Sequence, residues 1–156
     1  MDYKKLLLSA IFVMLISIII HTAGSFIDMD YYTDSNNFGV WSEIMMPNTG
    51  MPGIEFYGVS LLFNFVIGII LTLVYILIAK PIRQSSILKT GLFYGFLLFV
   101  ITGIPFTLNI FLLFAVPSGL LISWIIQNLL ISIISGVGIV YIMRYSCKFN
   151  NAGALK

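Results

Sequence analysis

Residues 90–143 contain no Asp, Glu, Lys, Arg or His, an unbroken run of 54 positions. At 1.5 Å of rise per residue, a single helix of that length would reach about 80 Å, against roughly 30 Å of hydrocarbon in a bilayer. The run must therefore fold back on itself, and Pro117-Ser118-Gly119 near its middle is the best turn signal. Splitting it there predicts two spans, 90–114 and 119–143, each long enough to cross a membrane with some tilt. In lipid such a backbone must satisfy its own N–H and C=O groups, which favours helices.

Two further apolar runs precede it. Residues 6–27 carry no Asp, Glu, Lys or Arg. Their start, Met1-Asp2-Tyr3-Lys4-Lys5, resembles the basic region of a signal peptide, but the apolar run is too long and no small-x-small cleavage site follows, so a retained helix is expected. Residues 57–79 form the next run, and Pro81 ends it. Between them, residues 28–56 hold Asp28, Asp30, Asp34, Glu43 and Glu55 with the turn formers Pro47, Asn48, Gly50, Pro52 and Gly53. The chain is 60% hydrophobic and 9% charged, whereas a soluble domain carries about 25% charged residues. The apolar surplus has to face lipid or a large partner. One transmembrane domain over residues 1–156 is expected.

The charges set an orientation. With four spans, Lys4, Lys5, Lys80, Arg83, Lys89, Arg144, Lys148 and Lys156 all fall on one side, and five of the six acidic residues fall on the other. Cytoplasmic loops carry the excess Lys and Arg. The expected fold is therefore an all-α integral membrane protein, an antiparallel four-helix bundle of the cell membrane with both termini cytoplasmic. Its outer loop is 28–56 and its cytoplasmic loop 80–89. Tyr3, Tyr57, Trp124, Tyr141 and Tyr145 lie near the predicted ends, where amphipathic rings favour the interface.

Helices in lipid meet through small and polar residues. Each span has one such seam: Ala10, Met14, Ser17, His21, Gly24; then Ser60, Asn64, Gly68, Thr72, Tyr75; then Gly91, Gly95, Leu98, Thr102, Pro105, Asn109; then Trp124, Asn128, Ser132, Ser135. Gly68, Gly91, Gly95, Ser132 and Gly136 are the expected packing positions. The Gly-x-x-x-Gly pair Gly91 and Gly95 marks either a contact within the chain, the preferred reading, or a homodimer face. Pro105 is expected to kink its helix.

The strongest polar residues of the spans are His21, Asn64, Asn109, Gln127 and Asn128. Counted inward from the outer ends they lie about 8–14 Å deep. They read either as a hydrogen-bonded level that fixes helix register, because an unpaired amide in lipid is costly, or as a pocket open to the outside for a small polar or amphipathic ligand.

Several chemistries are excluded. His21 is the only histidine and Cys147 the only cysteine, so neither a bis-histidine haem site nor a His- or Cys-rich zinc site can form. Met29, Met45, Met46 and Met51 could attract Cu(I), but without a Met-x-x-Met pattern they read as apolar filler. Asp28, Asp30 and Asp34 lack the terminal Glu of a calcium loop and read as a solvated acidic loop. No span contains an ionised residue of the kind that ion-coupled transporters carry. Ser123, Ser132 and Ser135 have no paired histidine on their level, so no nucleophile is evident. The basic residues act as topology signals near anionic lipid, not as a nucleic-acid surface.

From Gly91 to Tyr141 the chain resembles small four-helix membrane proteins of prokaryotes. The resemblance rests on Gly91-Leu92-Phe93-Tyr94-Gly95, Gly103-Ile104-Pro105, Pro117 before a helix, Trp124 with Gln127 or Asn128, and Gly136. It covers about a third of the chain and implies the fold without an activity. Those proteins often place an acidic residue after the tryptophan, where this chain has amides. The expectation is a non-enzymatic multi-pass membrane protein, an accessory subunit or small binding protein, with the lipid bilayer and a membrane partner or second copy as partners. The alternative is a small transporter or channel using the polar level. No metal, cofactor or catalytic residue is expected.

Overall fold

The computed structural model describes residues 2–34, 36, 41–45 and 52–152, with side chains as far as Arg144. Met46, Pro47, Asn48, Gly50, Met51 and Lys156 lie outside the described residues, as do the side chains of Tyr145 and Lys148. The described regular structure is all helical: α1 (Tyr3–Ile27), α2 (Met29–Thr33), α3 (Ile54–Ile78), α4 (Ile87–Leu98), a π-helical turn (Phe99–Gly103), α5 (Ile104–Leu113) and α6 (Ser118–Ala152). Four stretches are long and apolar enough to cross a membrane: Tyr3–Ile27, Ile54–Ile78, Ile87–Leu113 and Ser118–Arg144. They suggest a membrane protein.

Polar caps set two helix starts. The Asp2 carboxylate accepts the Lys4 and Lys5 amides, so α1 begins ahead of its apolar run. The Ser86 hydroxyl accepts the Lys89 amide at 3.3 Å and opens α4.

α1 lies between α3 and α6, and α6 in turn packs on α4. Small residues make these approaches close. A Cβ on Gly68 would sit 2.7 Å from the Ala10 Cα, so the α1 and α3 backbones touch there. A Cβ on Gly91 would meet the Val137 Cα at 2.6 Å, and one on Gly95 the Ser132 carbonyl at 2.6 Å. Gly136 faces the Gly95 backbone. Gly91 and Gly95 are thus occupied within the chain, against α6. Along the α1–α6 seam, Phe12 meets Gly138, Gly24 meets Gln127 and Asp28 meets Ser123.

The α3 and α4 backbones scarcely approach each other. The Tyr94 side chain bridges them. Its hydroxyl donates to the Leu71 carbonyl and its ring lies 5.2 Å from that of Tyr75. Val13, Leu98, Ile139 and Val140 complete this core. Leu62, Phe63, Phe96, Ile101, Phe111 and Leu130 are exposed; on a spanning helix such faces meet acyl chains instead of water.

Pro105 brings a π turn into the third span. The Ile104 amide reaches back five residues to the Phe99 carbonyl. A proline donates no hydrogen bond and its ring crowds the preceding turn, and the wider turn gives it room. Three side chains bond back to carbonyls around it: Thr102 to Leu98 at 2.8 Å, Thr107 to Gly103 at 2.9 Å and Asn109 to Pro105 at 2.9 Å. Such back-bonding satisfies carbonyls that lipid cannot.

Candidate functional site

The last two turns of α1 and its C-cap deliver His21, Gly24 and Asp28 to one side of the helix, because residues three and four apart share a face. On α6, Ser123 and Gln127 share a face by the same rule. Where these faces meet, Asp28 is buried, only 2% exposed. Its Oδ2 accepts from the Ser123 hydroxyl at 2.8 Å and from the Gln127 Nε2 at 3.1 Å. The Gln127 Nε2 also donates to Ser123 Oγ at 3.1 Å. A side chain on Gly24 would collide with the Gln127 amide, so glycine is what lets Gln127 reach the carboxylate.

The network assigns the amide and the histidine tautomer. With Nε2 committed to Asp28, the Gln127 Oε1 can only accept, and it lies 3.1 Å from His21 Nδ1. The proton therefore sits on Nδ1. The flipped amide would set an oxygen against the carboxylate. Ser123 donates to the Asp28 carboxylate while His21 bonds Gln127, which is not the arrangement of a Ser–His nucleophile pair.

An aromatic layer covers this cluster. The Trp124 Nε1 donates to the Tyr32 hydroxyl at 3.2 Å. The Tyr32 and Trp41 rings are 4.9 Å apart, and those of Trp41 and Trp124 are 6.3 Å apart. Burial raises the Tyr32 pKa above its ordinary 10.0; the Trp124 bond opposes the rise and the Asp28 charge adds to it. Tyr31 packs its hydroxyl against Gly119, where a Cβ would collide with it.

Of the five residues singled out from the sequence, the structure brings together His21 and Gln127. It leaves the other three outside that network. Asn64, half-buried, donates to the Ser60 carbonyl of its own helix at 2.8 Å. Asn109 is exposed and bonded to Pro105. Asn128 is half-buried, one position past Gln127 and therefore about 100° around α6. Asn64 and Asn109 satisfy a donor on the carbonyl four residues back and so stand outside the His21–Gln127 network. Asp28 corrects the reading of a wholly solvated acidic loop. It was legible in the spacing: the seam Ala10, Met14, Ser17, His21, Gly24 advances by four and three, and its next step is position 28.

Among the described residues no three His, Cys, Asp or Glu side chains converge to hold a metal ion. The arrangement suits recognition, through a carboxylate held by neutral donors and an imidazole with an exposed edge. Comparison with protein families, curated proteins and solved structures gives no match to this chain.

Proposed function

We propose that the chain is a multi-pass protein of the cell membrane, an antiparallel four-helix bundle with both termini cytoplasmic. It acts without catalysis, as a small binding protein or accessory subunit whose outer end recognises a polar group. The orientation rests on the one-sided distribution of all eight basic residues. The antiparallel course is supported by contacts whose numbers rise along α1 from Phe12 to Asp28 while they fall along α6 from Gly138 to Ser123.

The observation that carries the binding role is the buried Asp28 carboxylate. It lies at the C-terminal end of α1, where the helix dipole already disfavours negative charge. No cationic side chain among the described residues forms an ion pair with it. Two neutral donors hold it where a bundle needing only stability would use apolar contacts. The test is affinity capture from the native membrane, comparing the chain with Asp28→Asn and Asp30→Asn. The role stands if a protein or small molecule co-purifies with the wild type and with Asp30→Asn but is lost from Asp28→Asn. Identical profiles from all three would remove it.

The alternative, a narrow conduit, is favoured by the hydroxyls of Ser9 and Ser135, buried without partners inside the bundle. Ion or solute flux into sealed vesicles holding the purified protein decides it. Flux abolished by Ser135→Val supports a conduit.

A further inference from the structure

Residues 6–79 and 90–143 contain no Lys or Arg. The end of the bundle that carries Asp28 falls within them, so it has acidic residues and no basic side chain to offset them. There the rings of Tyr32, Trp41 and Trp124 meet over the Asp28 cluster. We propose that this ring layer seats an organic ammonium ion, held on the outward ring faces with the Asp28 charge behind them. The proposal rests on reading the Asp28 cluster as a recognition site and names the ligand class.

The rings have faces to offer. Trp41 is inclined by 51° to Tyr32 and by 65° to Trp124. Inclined rings meet edge to face, which leaves other faces uncovered, whereas a parallel stack would use them up. All three side chains are half-buried, so the layer has one side against the cluster and another turned outward. Aromatic faces carry the negative part of the ring quadrupole and attract a cation within about 6 Å of the ring centre.

The charge lies close by. Tyr32 follows Asp28 by one helical turn, its amide donating to the Asp28 carbonyl at 3.3 Å. Trp124 adjoins Ser123, which bonds the carboxylate. The Asp28 charge is felt at the Tyr32 hydroxyl, and no cationic side chain among the described residues pairs with it. A field of one sign draws counter-ions. An inorganic cation would need several oxygen ligands, but Gln127 turns its Nε2 to the carboxylate. An ammonium ion clothed in methyl or methylene groups needs only ring faces and a negative field. Tryptophans at a membrane interface ordinarily have lipid headgroups beside them, not a buried carboxylate.

The chain's two tryptophans both belong to the layer, so intrinsic fluorescence of the full chain in maltoside micelles reads the seat. Choline is titrated against its neutral isostere, in which carbon replaces the nitrogen, at constant ionic strength. The wild type should bind choline saturably and about fivefold more tightly than the isostere, the equivalent of the ~1 kcal/mol of one cation–π contact. Asp28→Asn should weaken choline alone, and Asp30→Asn, at an exposed position, should weaken it less. Equal affinities for choline and the isostere in the wild type overturn the proposal. So does an equal fall in the two aspartate variants, which would mark general surface charge. Should Asp28→Asn fail to fold, Trp41→Leu takes its place, with Trp124 as reporter; it should weaken choline about fivefold, and unchanged binding overturns the proposal. Nanodiscs of phosphatidylglycerol with added phosphatidylcholine separate the sources. A choline response abolished there assigns the ammonium to a lipid headgroup, and one that persists assigns it to a free solute. If choline does not bind while affinity capture still depends on Asp28, the ammonium assignment falls and the recognition site stands.

Discussion

Ser123 donates its hydroxyl to the Asp28 carboxylate at 2.8 Å across 95 positions of sequence, joining the first long helix to the last. Gln127 repeats the contact one turn further along α6. Removing the acceptor should leave the part-buried Ser123 hydroxyl without its acceptor and the Gln127 Nε2 with Ser123 Oγ alone. Asp28→Ala is expected to destabilise the protein by about 1–3 kcal/mol, the penalty for unsatisfied buried polar groups. Asp30→Ala, at an exposed position, should stay within about 0.5 kcal/mol of wild type. Unfolding in mixed micelles with increasing denaturing detergent measures both.

Gly24 and Gly58 make a matched pair for a second measurement. A methyl at Gly24 meets the Gln127 amide, whereas at Gly58 nothing lies within 4 Å. Gly24→Ala should lower the midpoint of thermal unfolding in detergent and displace Gln127. Gly58→Ala should be neutral or stabilising by up to about 1 kcal/mol, the helix propensity gained.

Gly95→Ala probes the α4–α6 contact. Its new Cβ would press on backbone, the Ser132 carbonyl at 2.6 Å and the Ile133 Cα at 2.7 Å, and backbone cannot rotate aside as a side chain can. A loss of at least 1–3 kcal/mol is expected, the usual range for overpacking. Unchanged stability would mean that these helices separate in solution.

Tyr32 makes the cluster sensitive to alkali. Burial, opposed by the Trp124 bond and reinforced by the Asp28 charge, raises its pKa above 10.0. Because the folded value exceeds the unfolded one, its contribution to stability is complete below pH 10 and is lost as pH rises through the folded value. Difference absorbance of the phenolate between wild type and Tyr32→Phe should show this hydroxyl titrating above the exposed tyrosines. Its appearance below pH 10 would contradict the described burial.

Cysteines at Ser42 and Ser85, after replacement of Cys147, test the orientation. Both positions are exposed. A membrane-impermeant thiol reagent on intact cells should label Ser42→Cys alone. Labelling of Ser85→Cys instead would reverse the bundle.

The four apolar helices were legible because hydrocarbon imposes a length and a composition that few other environments demand. Residues 90–143 had to contain a turn, and α5 and α6 part at residues 114–117. The polar partnerships were harder to read. Depth places Asn64, Asn109 and Gln127 within a few ångström of one another along the membrane normal, but says nothing about which side of each helix they occupy. It also cannot separate an amide that crosses to a neighbour, as Gln127 does, from one that folds back on its own helix, as Asn109 does. Asp28 was obscured by its charge. An acidic residue at the end of an apolar run reads as the beginning of solvent, and only the continued spacing of the α1 seam placed it inside. Trp41 joins the cluster from a segment with no periodicity, so nothing in its sequence neighbourhood marks it.

Because Asp28 draws its donors from α6, the contact carries a consequence for biogenesis. Asp28 emerges from the ribosome 95 residues before Ser123 and 99 before Gln127. Until α6 is in place, the nascent chain presents a carboxylate without its donors and a glycine cleft without its amide. A chain truncated ahead of Ser118 can pair α1 with α3 but cannot close that end. An unfinished molecule would therefore bear a polar marker that only completion conceals.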